Sequence, residues 1–284
     1  MSTDCADDVF MRFMIASLPS GPHVTAPTAA AVVRRLRRTD EWVKPYVQRL
    51  SHLPEAASTV IKSPIEIVER RAAATVCFTA LRQLVTGQSL NIRPTALYKT
   101  ALWGRTTMRH VTGIWDMTRN TRVLVAPNIF TQAQQFQLDQ NDWCRWVSLR
   151  TALTATHHIY APHLIEYLIH LMSALPDTTH ELAHFIFLSD ALAYASMDAL
   201  TPVDMPSCQW LRHYDKKHNE AARLHVLRKI LTPPPDISVI CERTQNFADY
   251  VVAARMLPEL LRDVANLPTV AEYAQPDMWG RRVG

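Results

Sequence analysis

The sequence predicts a mainly α fold with a small β-hairpin or sheet (α+β), and three observations carry that expectation. Six glycines stand against eighteen prolines in 284 residues, which favours helices closed by proline over strands joined by Gly-rich turns. Apolar residues recur at helical spacing through most of the chain. The clearest β pattern is confined to HVTGIWD, His110 to Asp116, and RVLVAP, Arg122 to Pro127, separated by the polar MTRNT.

Taken in order, residues 1–24 read as a flexible leader ending in the turn-forming SGPH, and residues 25–284 as one domain without internal repeats. Thr25 or Thr28 caps a helix that runs through RRLRR toward Leu50, with Trp42, Tyr46 and Leu50 along one side. Pro54 and Pro64 bracket a short connection. Ile65, Ile67 and Val68 alternate as in a strand, and a helix follows to Val85, then another over Pro94 to Met108. The β-hairpin comes next and lies beside a central helix pair.

That pair is the organising element. From Trp143 to Tyr160, the residues Trp143, Trp146, Val147, Leu149, Leu153 and Ile159 predict a helix burying one stripe. Pro162 suits the first turn of a second helix, whose apolar face runs from Leu164 to Leu175. The two form an angled helical hairpin. Thr178 or Thr179 caps a further helix to about Leu200, stopped by Pro202 and Pro206. Cys208 to Leu231 reads as a charged helix, PPPD at Pro233 to Asp236 as a break, and Ile237 to Val264 as helix again. The proline-interrupted tail packs Tyr273 and Trp279 back on the body.

Composition narrows the function classes. A hydrophobic content of 48% with 20% charged residues is ordinary for a soluble globular protein. Five scattered cysteines suggest neither a disulfide framework nor a metal knuckle, and the acidic start MSTDCADDVF is no secretory signal, so a cytoplasmic location without a membrane partner is expected. The net charge is +4, with four positive charges concentrated in RRLRR, Arg34 to Arg38. Without an aromatic-interleaved basic groove this run reads as a solvated helix face, nucleic acid is not the expected partner, and contact with an acidic partner is the alternative.

Several ordered segments, IVERRAAATVCFTALRQLV from Ile67, VLVAPNIF from Val123, WCRWVSL with Pro162, MDALTPVDMPS from Met197, and FADYVVAARM with LPTVAEYAQPDMWGRRV, together resemble the zincin-like family of zinc-dependent metalloproteases. Some members of that family are associated with deazaflavin-coenzyme biosynthesis. The resemblance spans residue 25 to the C-terminus and implies a zincin-like fold. In the family the helix that begins WV-x-L continues as H-E-V-T-H, two histidines holding zinc and a glutamate activating water. Here Arg150 takes the first histidine's place, Thr151 the glutamate's and Thr154 the second histidine's. A guanidinium offers no lone pair and threonine is neither a useful zinc ligand nor a base near neutral pH. The family's further acidic ligand falls on Asp190. If the ancestral geometry persists, Arg150 and Asp190 face each other and pair through hydrogen bonds.

A competing motif is HELAH, His180 to His184, a literal H-E-x-x-H. Two histidines four apart share a helix face and can grip zinc, with Glu181 placed to deprotonate its water. Against this, the resemblance puts HELAH in the helix of the third ligand, not of the histidine pair. Phe187 stands where a metzincin-like pattern needs glycine, so the helix runs on and Asp190 lies about 80° and 120° around it from the two histidines. A ligand from elsewhere is then required, and Asp198, Asp204, His213 and His218 are candidates by type alone. His163, Glu166 and His170 share a face opposite the leucines and read as solvated. His157 and His158 close the first helix of the pair, where cationic side chains favour the helix dipole. Asp116 and Asp198 read as capping or ion-pair residues.

The expected function is that of a catalytically inactive zincin-like homologue, a binding or regulatory module with no cofactor and a protein or peptide partner. The alternative is an active zinc-dependent hydrolase using His180, Glu181 and His184. A weaker alternative is a helical interaction protein that works through its basic patch.

Overall fold

The computed structural model describes residues 12, 15, 16, 18, 19, 21–86, 108–174, 177–218 and 236–284. The chain forms a mainly helical body around a three-stranded sheet, as expected from its composition. Helix α1 is Ala26–Ser51, and Thr25 caps it by accepting from the Thr28 N–H. Val32, Leu36, Val43, Val47 and Leu50 form its buried stripe, while Trp42 and Tyr46 stack on each other at its half-buried edge. Pro54 does not merely bracket a connection: it opens a nine-residue helix α2, Pro54–Lys62, from a first-turn position where its missing N–H costs nothing.

Strand β1, Ile65–Val68, leads into α3, Arg70–Thr86. The helix expected over Pro94 to Met108 lies outside the described residues except for Met108. Strands β2, Gly113–Asp116, and β3, Thr121–Val125, form the predicted hairpin, with Asp116 opposite Thr121. Asp116 accepts from the N–H groups of Thr118 and Arg119 and pairs with the Arg119 guanidinium, the capping and ion-pair role expected of it. The hairpin gains a third strand, because β1 pairs in parallel with β3 and leaves the fully buried β3 in the centre of the order β1-β3-β2. Strand β3 ends at Val125, since Pro127 sits in the first turn of α4, Ala126–Gln135.

Helix α5, Gln140–Tyr160, starts at Asp139, whose carboxylate accepts from the Asn141 and Asp142 N–H groups. From Asp142 to His157 every residue except Arg145 and Thr154 is buried. One face meets α1 and α2, another the sheet, and a third the helix Thr179–Met197, so α5 is enclosed rather than striped. Gly113 is what lets β2 approach it: a Cβ there would stand 2.0 Å from Thr151 Oγ1. Helix α6, His163–Ser173, turns away at Pro162 and packs against α7, Thr179–Met197, with Tyr167 edge-on to Phe185 at 5.3 Å. Thr178 is the residue before α7, but its hydroxyl donates to the Leu171 carbonyl instead of capping the helix.

The expected helix from Cys208 is α8, described over residues 208–218; its remainder lies outside the described residues. Helix α9, Ile237–Ala253, stops short of Val264 because Arg255 turns to φ 58° and Met256 N–H returns to the Val251 carbonyl. Short helices α10, Leu257–Leu260, α11, Val270–Ala274, and α12, Pro276–Val283, follow. The tail docks as predicted: Tyr273 and Trp279 are buried against Phe247, at 5.1 and 5.2 Å between ring centroids. Among the described residues no helix is long and apolar enough to cross a membrane.

Candidate functional site: a buried arginine beneath a cleft

Arg150 lies two turns into the enclosed part of α5, where a cation has no water to solvate it. It survives there because three elements bring it partners. Asp215 from α8 meets Nη1 at 2.6 Å, Tyr194 OH from α7 meets the same nitrogen at 3.0 Å, and Thr112 Oγ1, just before β2, accepts from Nη2 at 2.8 Å. The two charged side chains are 7% and 4% exposed, so the pair is desolvated and must be closely matched. Burial alone would lower the Arg150 pKa, but Asp215 and Tyr194 outweigh it and hold it above its ordinary value. Asp215 Oδ2 also accepts from Trp146 Nε1 at 2.7 Å and from Tyr194 OH at 3.0 Å, so one carboxylate oxygen takes three donors.

The expected pairing of Arg150 with Asp190 is therefore not what forms. Asp190 and Tyr194 lie one turn apart on α7, and it is Tyr194 that reaches the guanidinium. Of the other positions that the resemblance matches to a zinc motif, Thr151 is buried and donates back to the Val147 carbonyl beneath Gly113, and Thr154 is half-buried. Sequence reading missed Asp215, Tyr194 and Thr112. The available signal for Asp215 was a carboxylate in the WLRHYDKKH stretch four residues after Leu211, on the buried face of an amphipathic segment.

Above this centre opens a cleft of about 450 Å³ whose wall includes Asp215. Arg70, Arg109 and His218 supply cationic or titratable groups to it, and Phe136 and Tyr214 supply aromatic surface. His218 stacks on Tyr214 at 4.1 Å and Phe136 meets both rings at 4.6 and 4.8 Å, so the three rings pack as one aromatic wall. Burial and the neighbouring Asp215 push the Tyr214 pKa up, keeping its phenol neutral. The arrangement suits recognition of an anionic, partly apolar segment; among the described residues that line it, none is a nucleophile paired with a base.

The HELAH residues are not brought together as a site. His180 is exposed and Glu181 half-buried beside Tyr167. His184 is 1% exposed, stacks face to face on Tyr273 at 4.0 Å, and lies 2.7 Å from Thr244 Oγ1 through Nδ1. Since Thr244 spends its hydroxyl proton on the Ile240 carbonyl, His184 is the donor in that bond and Nδ1 carries its proton. Burial, reinforced by His180 and Arg243, pushes its pKa down to about 4. Of the further candidates, Asp198 pairs with Arg212, Asp204 with Arg49, His213 is exposed and His218 stands in the cleft. Among the described residues no three His, Cys, Asp or Glu side chains converge as a metal site. The Arg150 set offers no nitrogen lone pair to zinc, and in the HELAH set Nδ1 of His184 is taken up by Thr244.

Glu166 and His170 are exposed, as a solvated face requires, but His163 at the start of that face is half-buried with its Nε2 out of solvent. The dipole role expected of His157 and His158 does not hold. His157 is 1% exposed, and burial pushes the two pKa values down to about 3 and about 4, so both rings are neutral. His158 Nε2 lies 3.2 Å from Ser189 Oγ on α7, which makes it a packing contact between helices.

No family model matches the chain, and no curated protein matches it. Its fold is similar to that of a crystal structure from Chloroflexus aurantiacus described as "a putative hydrolase with a novel fold", with a TM-score of 0.68 at 18% identity. The match covers 99% of this chain and 98% of that one. At that identity the likeness establishes a shared fold and leaves the chemistry to each chain's own residues.

Proposed function

We propose that this chain is a catalytically inactive zincin-like homologue that works as a binding module, taking an anionic protein or peptide segment into the cleft above Asp215. The observation that carries this reading is the Arg150–Asp215 pair: a permanently charged guanidinium stands where the resemblance puts the first zinc-binding histidine, and it is neutralised from within the fold. The cleft over it retains cationic and aromatic walls, the two features that recognise a carboxylate-bearing segment with an apolar side chain.

A second reading, zinc-dependent hydrolysis through His180, Glu181 and His184, draws on the hydrolase description of the Chloroflexus aurantiacus neighbour. Incubation of the purified chain with a peptide library, with and without added zinc, separates the two. Our reading expects no cleavage above the blank. Zinc-dependent cleavage that disappears in Glu181→Gln, which keeps the histidines and removes the base, would replace it with the second.

A further inference from the structure

The arginine run on α1 has no part in the cleft above Asp215, yet the fold gives three of its four cations a common use. Arg34, Arg35 and Arg38 line one wall of a groove of about 470 Å³, with Trp42 a turn further along the helix. Asn141 and Arg145, from the first turns of α5, form the facing wall. None of the residues lining the groove is acidic. The groove shares no residue with the cleft above Asp215.

The four guanidiniums are held in different ways, and none is fully neutralised. Arg35 Nε donates to Asn141 Oδ1 at 2.7 Å and its Nη1 to Gln140 Oε1 at 2.8 Å, so neutral amides fix the side chain without cancelling its charge. Arg145 lies over the Trp42 ring at 5.2 Å and touches Asp142 only at 3.4 Å. Arg34 and Arg38 are exposed, about 6 Å apart along the helix axis, and have no ion-pair partner among the described residues. Two cations are thus pre-positioned and two are free to close on a ligand. This combination favours a compact, multiply charged oxyanion, since guanidinium forks bind phosphate oxygens in pairs.

Other acidic ligands fit less well. Trp42 is already engaged by Tyr46 at 4.1 Å and by Arg145, so no aromatic platform is left for a nucleobase to stack on. Ala31 and Trp42 are the apolar side chains among the lining residues, and Trp42 is already packed on Tyr46 and Arg145, which leaves a peptide side chain a small anchor.

We propose that the groove between α1 and the start of α5 binds a phosphate or diphosphate group, carried either by a soluble phosphorylated molecule or by a lipid headgroup. The proposal is independent of the function assigned to the cleft. Isothermal titration of the full chain with pyrophosphate at physiological salt should show saturable binding with Kd below about 1 mM. Arg34→Gln/Arg38→Gln should weaken it at least tenfold, while Arg37→Gln, in the same run but outside the groove, should leave it unchanged. Unaltered melting of both variants without ligand checks that they fold. Phosphatidylcholine vesicles with and without a phosphorylated inositol lipid identify the source: capture only by the phosphorylated vesicles, with the same variant pattern, assigns a lipid headgroup, and pyrophosphate binding without vesicle capture assigns a soluble ligand. Absence of both, or equal loss in Arg37→Gln, would overturn the proposal. Binding of single-stranded RNA that pyrophosphate does not displace would also overturn it.

Discussion

Arg150 and Asp215, 65 residues apart in sequence, meet at 2.6 Å inside the core and close the space between α5, α7 and α8. Removing one partner leaves the other as a buried, unpaired charge. Arg150→Met is expected to destabilise by about 3 to 5 kcal/mol and Asp215→Asn by a similar amount, while the double variant loses much less than the sum. Urea unfolding of the four proteins measures the coupling; additive losses would mean that the two groups do not act as a unit.

Stability should fall as the pH is lowered from 6.5. The folded pKa values of His157, His158 and His184 are about 3, about 4 and about 4, all below the ordinary 6.5. Between those limits the unfolded chain binds protons that the folded chain refuses, so each group costs the fold about 1.4 kcal/mol per pH unit. His157→Leu, which removes the group with the lowest folded pKa of the three, should flatten this acid limb. A melting temperature independent of pH between 6.5 and 4.5 would contradict it.

Gly113→Ala places a methyl group 2.0 Å from Thr151 Oγ1, where β2 meets α5. Overpacking at this contact should cost about 1 to 3 kcal/mol, and Thr151→Ala in the same chain should recover most of the loss. Thermal melts of the single and double variants read this directly, and equal melting of Gly113→Ala and the wild type would show that the contact yields without cost.

The two ends of HELAH should respond differently. Glu181→Gln changes a half-buried side chain and is expected to alter stability by about 1 kcal/mol or less. His184→Ala removes the stack on Tyr273 and the bond to Thr244 and should cost about 2 to 4 kcal/mol. The reverse order in a denaturation series would contradict the packing role assigned to His184.

Much of the fold was legible because local signals set it. The Val32, Leu36, Val43 and Val47 spacing, the Thr25 cap and the β2–β3 hairpin all follow from residues close in sequence. What was not legible depends on distant neighbours. Enclosed on all sides, α5 shows no single stripe, and the parallel β1–β3 ladder joins strands more than fifty residues apart. His184 reads as a ligand until Thr244 and Tyr273, from α9 and the tail, are seen against it. Likewise, an arginine in the core requires some carboxylate, but the family resemblance pointed to Asp190, whereas packing of α8 supplies Asp215.

The central proposal is that Arg150 and Asp215 hold the core and that neither the positions matched by the zincin resemblance nor HELAH binds zinc. Metal analysis of the protein purified without added zinc tests it most directly. The account predicts well under one zinc per chain and a melting temperature unchanged by chelator. One zinc per chain, lost together with a large part of the melting temperature on chelation or in His184→Ala, would contradict it.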